Sequence, residues 1–236
     1  WARNEIGPFS VTNELIKLSK IKSGDSVLDL ACGTGLVTKK VARKVGKNGM
    51  IYAIDTSKTA INIAKKWVGM KKNISFIIGD AETIQFNTKF DAITCQYALF
   101  FFPNTQKVLK NLKRTLKKNG TITMSVHSKT NVPYFDSILN SVRKFIPDYL
   151  PKYPELDRFG TSKSFKEEFA KAGYQKIVVK KLLFHYSPGS FSDYWNNYKK
   201  YLSKPLKQKF NKLSRYQKSN LREIVKDNTA KYTKKD

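Results

Sequence analysis

Residues Val27–Lys40, VLDLACGTGLVTKK, decide how this chain is read. Val27, Leu28 and Leu30 run into a turn of small residues, Cys32-Gly33-Thr34-Gly35, and a helix-like stretch comes immediately after. The pattern is a strand, a tight glycine loop and a helix N-terminus. Such a junction aims backbone N–H groups and the positive end of a helix dipole at whatever lies above the strand. Glycine suits it because a ligand can come close to the bare backbone and because such turns often use positive φ. A lone glycine turn also occurs in ordinary strand-to-helix connections, so the weight falls on the strands and carboxylates downstream of it.

The downstream chain is regular. MIYAID (50–55) reads as a second buried strand ending in Asp55, and ISFII (74–78) as a third, followed by Gly79-Asp80-Ala81-Glu82. A fourth strand is predicted over roughly 90–96 (FDAITCQ) before the aromatic run YALFFF, and a fifth in TITMSVH, which ends at His127. Pro103-Asn104 starts a helix that Asn119-Gly120 ends, and QKIVVKKLLFHYS (175–187) reads as a sixth strand. Between the strands, apolar residues recur at helical spacing: Val37, Val41 and Val45, then Ile61, Ala64 and Val68, then Val108, Leu109 and Leu112. Near-continuous apolar strands alternating with amphipathic helices predict an α/β fold, a Rossmann-like, doubly wound, mostly parallel sheet.

A single domain over 1–236 is expected. Its parts are a ligand-binding core at 21–128, an aromatic, proline-rich insertion at 129–160 placed to cover a pocket, a helix and strand at 161–188 completing the sheet, and a basic helical segment at 189–236. In that segment Phe191, Tyr194, Trp195, Tyr198, Tyr201 and Leu202 form a stripe that should pack beside the insertion.

With 45 Lys and Arg against 18 Asp and Glu, the formal charge is +27. This suits an anionic membrane surface or nucleic acid as a partner, and equally a lysine-biased solvated surface. Cys32 and Cys95 are the two cysteines, and no CxxC occurs, so neither a disulfide framework nor a metal site is expected. No apolar run reaches 18 residues and the N-terminus is not signal-like, which predicts a cytoplasmic protein, with a peripheral place at a membrane open to its lysines.

Three features stand together at strand C-termini: the glycine loop, Asp55 (22 residues after Gly33) and Asp80. Ligands of open parallel sheets bind at that rim. A carboxylate ending strand two can take both hydroxyls of a ribose. Asp80 can accept from the exocyclic amine of adenine, while the Ala81 N–H donates to a ring nitrogen. Together they describe an adenosine-containing ligand, although each Asp also suits a helix N-cap. A dinucleotide fits less well, because Thr38 stands where its fingerprint needs a third glycine.

VLDLACGTG, the acidic end of MIYAID, GDAETIQF and FDAITCQYALFFFPN, in that order, resemble the class I S-adenosylmethionine-dependent methyltransferases. The resemblance is nearest to the small-molecule enzymes of the ubiquinone/menaquinone-biosynthesis type and covers roughly residues 1–188. It implies S-adenosylmethionine as cofactor and S-adenosylhomocysteine as product. Ala31, Gly33 and Gly35 would line the methionine moiety, with Asp29 supporting its amine. Asp55 would hold the ribose, Thr56 flank the adenine, Asp80 and Ala81 bind it, and Gln96 face the sulfonium end. The implied reaction is in-line SN2 transfer of a methyl group to a small or lipid-like acceptor. His127 and Tyr97 are the candidate bases, with His185 a third inside a predicted strand. Two alternatives use the basic surface: an RNA or protein methyltransferase, and a non-catalytic module that binds anionic partners. The family's antiparallel seventh strand is not evident after Ser187, so the expectation is that either it lies beyond Asp236 or this chain has lost it, the first being favoured.

Overall fold

The computed structural model describes residues 9–128, 133–147, 158–182, 189–200 and 204–230. Its sheet has five parallel strands: β1 (Ser26–Leu30), β2 (Met50–Asp55), β3 (Ile74–Ile78), β4 (Phe90–Gln96) and β5 (Leu116–Ser125). Their spatial order is β3-β2-β1-β4-β5. The order reverses between β1 and β4, so the crevice of such a fold opens above those two strands. This is the doubly wound architecture expected of the sequence.

The helices arise from the apolar stripes. Along the chain they are α1 (Phe9–Leu18), α2 (Leu36–Val45), α3 (Lys58–Val68), α4 (Thr105–Thr115), α5 (Pro133–Phe145), α6 (Ser162–Lys171), α7 (Phe191–Lys200), α8 (Lys204–Lys212) and α9 (Arg215–Ala230). On one sheet face Val27, Ile51 and Ala92 pack with Leu15, Ile16, Val41 and Val45 from α1 and α2. On the other, Leu28, Leu30, Ile54 and Ile93 pack with Val108 and Leu112 from α4. Coverage on both faces explains why the strands carry near-continuous apolar runs. Ser57, Asn104 and Thr161 cap α3, α4 and α6 through their side chains.

Three expectations change. Helix α4 stops at Thr115, before Asn119-Gly120, and β5 begins at once at Leu116. The register moves from Phe90↔Leu116 to Ala92↔Thr121, so β5 carries an irregular loop before its regular part. Gly120 is needed there because a Cβ would lie 2.8 Å from the Phe90 carbonyl oxygen.

The sixth strand is not paired over its described part. Residues 175–182 join no sheet, Lys176 has φ 52° and Val178 is 87% exposed. Only Ile177 reaches an apolar cluster, with Leu109 and Phe169. Residues 183–187, including His185, lie outside the described residues. No sixth or seventh strand occurs among the described residues.

The chain divides into two compact units, one formed by 1–129 with 155–184 and the other by 130–154 with 185–236. The first holds the sheet. The second explains the insertion: Ile138 and Val142 of α5 find their apolar partners in Tyr194, Trp195, Leu221 and Val225 of the C-terminal helices. Asn228 also donates to Ser141 Oγ at 2.9 Å. The aromatic stripe therefore packs with the insertion as expected, as far as Tyr198; Tyr201 and Leu202 lie outside the described residues.

Gly35 gives the sharpest test of the packing in the first unit. Its φ is +89°, and a Cβ would sit 2.7 Å from Val68 Cγ2 and 3.2 Å from Ala64 Cβ on α3. Gly35→Ala should cost about 2–4 kcal/mol, the sum of left-handed strain and overpacking. Urea unfolding checks it, and a loss below about 0.5 kcal/mol would contradict both causes.

Candidate active site

The glycine loop is shaped by unusual backbone. Ala31, Gly33 and Gly35 all have positive φ, at 52°, 54° and 89°. For alanine this is uncommon, so surrounding bonds must hold it. Cys32 N–H donates to Ile54 O at 2.9 Å, and Gly35 N–H to Cys32 O at 3.0 Å. The two glycines do different work. A Cβ on Gly33 would meet nothing within 4 Å, so this residue faces open space, whereas Gly35 is closed against α3.

Asp55 fastens the loop. Its Oδ2 accepts from Gly33 N–H at 2.8 Å and its Oδ1 from Ser57 N–H at 2.9 Å. Each oxygen keeps a further lone pair for a ligand hydroxyl. Thr56 beside it is exposed.

Asp29 sits beneath, 1% exposed. Its Oδ2 accepts from Thr38 Oγ1 at 2.5 Å and its Oδ1 from Thr94 Oγ1 at 3.0 Å. Burial pushes its pKa up to about 6, against the pull of those hydroxyls. The threonine at the third-glycine position thus has a positive role, which the sequence pattern showed only as a departure. Its signal was a buried-strand Asp with threonines on the neighbouring elements.

Asp80 is exposed, and its Oδ1 accepts from Glu82 N–H at 2.8 Å. Ala81 is buried, and its N–H makes no hydrogen bond among the described residues. Glu82 Oε1 accepts from Asn104 N–H at 2.7 Å, tying this loop to the start of α4.

At the tips of β4 and β5 the structure brings the two candidate bases together. Tyr97 and His127 stack with ring centroids 4.3 Å apart and planes 10° from parallel, and Phe100 lies 5.9 Å from the imidazole. Tyr97 adopts φ 54° while its N–H donates to Ser125 O at 2.9 Å. His127 stays exposed overall, but desolvation against its neighbours lowers its pKa below the ordinary 6.5. Burial raises the Tyr97 pKa. Gln96 and Ser125 are register partners on the two strands, and Gln96 Oε1 and Ser125 Oγ are buried without a hydrogen-bond partner. Sequence reasoning missed Ser125, because an isolated serine at a strand end carries no pattern.

Cys32 and Cys95 are free, buried thiols whose pKa values burial drives up, which leaves them unreactive. Among the described residues no group of three or more metal-ligating side chains occurs, and no helix is long and apolar enough to cross a membrane. Elsewhere, a cleft of about 610 Å³ between α1 and α2 is lined by Lys17, Lys20, Lys40, Arg43 and Lys44.

The fold and rim define a doubly wound α/β protein whose sheet carries a glycine loop and two carboxylates, Asp55 and Asp80, at the C-terminal ends of its strands. Residues 21–228 match the family model described as "Methyltransferase domain". The chain belongs to this methyltransferase family and is a class I, S-adenosylmethionine-dependent enzyme of it. It is 31% identical over 174 residues to the demethylmenaquinone methyltransferase of Lactococcus lactis, covering 67% of this chain and 69% of that one. It is 29% identical to the ubiquinone/menaquinone biosynthesis C-methyltransferase of Hydrogenovibrio crunogenus, covering 68% and 70%. In fold it is similar to a Bacillus halodurans protein assigned as a methyltransferase, with TM-score 0.59 and 20% identity over 89% and 88% of the two chains.

The cofactor is S-adenosylmethionine. The residues present fit it: Gly33 leaves open space for a ligand, Asp55 keeps spare lone pairs, and the Ala81 N–H makes no hydrogen bond among the described residues.

Asp29 makes a pH-dependent prediction. With its pKa raised from 3.8 to about 6, the folded chain holds more protons than the unfolded one between those values. Stability is therefore present at low pH and lost as pH rises through that window. Asp29→Asn removes the loss. At pH 7.5 the variant should unfold at higher urea by on the order of 2–3 kcal/mol, with the gain vanishing near pH 4. A variant less stable than wild type at both pH values would overturn the assignment.

Proposed function

We propose that this methyltransferase acts on a small aromatic acceptor of quinone-like or phenolic type, held at the tips of β4 and β5. The observation that carries the reading is the parallel Tyr97–His127 stack beside Phe100, which offers a flat ring the kind of face it packs against. The named activities of the Lactococcus and Hydrogenovibrio relatives support it.

Bound at the rim, S-adenosylmethionine supplies an electrophilic methyl group on a sulfonium that leaves with the bonding electron pair. The chain's own task is then placement and proton removal. The backbone of Ala31, Gly33 and Gly35 would hold the methionine end, and Asp29 would support the amine side by fixing Thr38 and the loop. Asp55 would take the ribose hydroxyls, Thr56 would flank the adenine, and Asp80 with the Ala81 N–H would read it. Gln96 marks the place where the sulfur end and the acceptor meet. Each methyl gained by the acceptor releases one proton. His127, held neutral at pH 7 by its lowered pKa, takes that proton and passes it to solvent. Tyr97 keeps the imidazole face covered.

His127→Phe keeps a ring on Tyr97 and removes the base. Transfer from labelled S-adenosylmethionine to a phenolic or naphtholic acceptor should slow by roughly 10²–10⁴-fold, with S-adenosylhomocysteine affinity unchanged. The wild-type kcat/KM should fall on the acid side only below pH 6.5, and this limb should be absent in the variant. An unchanged rate would remove His127 from the mechanism.

Asp55→Asn keeps an acceptor for the loop but loses the charge. Calorimetry should show S-adenosylhomocysteine binding weakened by about 10–100-fold, the worth of a charge-assisted hydrogen bond. Undiminished affinity would displace Asp55 from the ribose site.

A further inference from the structure

Gln96 Oε1 and Ser125 Oγ are both shielded from solvent and have no hydrogen-bond partner among the described residues. A buried polar atom left unpaired costs about 1–3 kcal/mol, so such atoms are rare in folded proteins and each needs a reason. Here the two fall at one place. Gln96 ends β4 and Ser125 ends β5, and they are direct register partners. In a parallel pair, register partners project to the same face of the sheet, with strands about 4.8 Å apart. Further down that face, Thr94 of β4 is satisfied by the Asp29 carboxylate and Thr121 of β5 by Ser19 O. Deeper in the fold Thr94 and Thr121 have partners, and at the rim Gln96 Oε1 and Ser125 Oγ do not.

The rim around them is also strained. Tyr97, next after Gln96, is a bulky residue held at φ 54°, and its N–H is already bonded to Ser125 O. Strain of this kind concentrates where a ligand is held. The Tyr97–His127 stack rises directly beyond both residues.

We infer that Gln96 and Ser125 form a two-point hydroxyl subsite for the methyl acceptor, so that one ring hydroxyl donates to Gln96 Oε1 and accepts from Ser125 Oγ–H. A hydroxyl satisfies both atoms at once: it donates to the amide carbonyl oxygen, which only accepts, and accepts from the serine hydroxyl, which can donate. A bare carbonyl would leave Gln96 unpaired, and an ether would leave it unpaired and crowded. The subsite therefore selects acceptors that carry a free hydroxyl and sets which ring atom is turned toward the transferable methyl. This inference rests on the proposed aromatic acceptor and names how it is recognised.

The test compares 1-naphthol with 1-methoxynaphthalene on the full chain loaded with S-adenosylhomocysteine, with affinities from ligand-observed NMR titration. Wild type should bind the naphthol about tenfold more tightly, the worth of one to two neutral hydrogen bonds. Ser125→Ala and Gln96→Leu should each reduce that preference to within about twofold. S-adenosylhomocysteine affinity should stay unchanged in Ser125→Ala, the smaller of the two alterations. Both variants should also melt no lower than wild type, because each removes an unpaired buried group. A preference that survives both substitutions, or is absent from wild type, overturns the subsite. If the preference behaves as stated while no naphthol is methylated, the subsite stands and the aromatic-acceptor activity falls.

Discussion

One buried carboxylate holds the centre of this enzyme together. Asp29 lies on the middle strand of the sheet and accepts a hydroxyl from Thr38 on α2 and another from Thr94 on β4. It thereby joins the helix after the glycine loop to both strands flanking the crevice. Ionised at neutral pH in such a place, it works against stability, since burial has raised its pKa to about 6. A core of aliphatic residues would fold more stably there. The gain from the carboxylate is positional: a hydroxyl–carboxylate pair fixes direction, which apolar packing does not.

The loop above it works in the same way. Asp55 closes Gly33 and Ser57 onto one side chain and retains capacity for a ribose. Ala31 and Tyr97 occupy left-handed backbone at the ends of β1 and β4, the two strands between which the sheet order reverses. Along this rim the strained Ala31 and Tyr97 stand together with the unpaired Gln96 Oε1 and Ser125 Oγ. The opposite ends of the strands are conventionally satisfied, as where Asp91 takes Ser26 N–H and Lys117. That asymmetry is what marks the rim as the place of binding.

Much of this was legible in the residues. The strands were readable because doubly covered strands must be apolar throughout, and the helices because their buried faces recur every three to four residues. Asp55 and Asp80 were readable because a carboxylate directly after a buried strand has few places to go except the rim. Local signals failed where the partner was distant. QKIVVKKLLFHYS has strand composition, yet its described part pairs with nothing, since composition does not say whether a neighbouring edge will accept hydrogen bonds. The insertion's helix shows the same dependence on distant residues, since its apolar partners lie more than 50 residues further along the chain, in α7 and α9.

The sequence by itself determined the fold class and the glycine loop and singled out Asp55 and Asp80 at strand ends, because each depends on residues near one another in the chain. Tertiary structure alone decided three things. It stacked Tyr97 on His127, 30 residues apart; it set Gln96 beside Ser125; and it assigned Gly33 to open space and Gly35 to helix packing. These depend on strand register and helix approach, which are settled by the whole core at once and leave no trace in any short stretch of sequence.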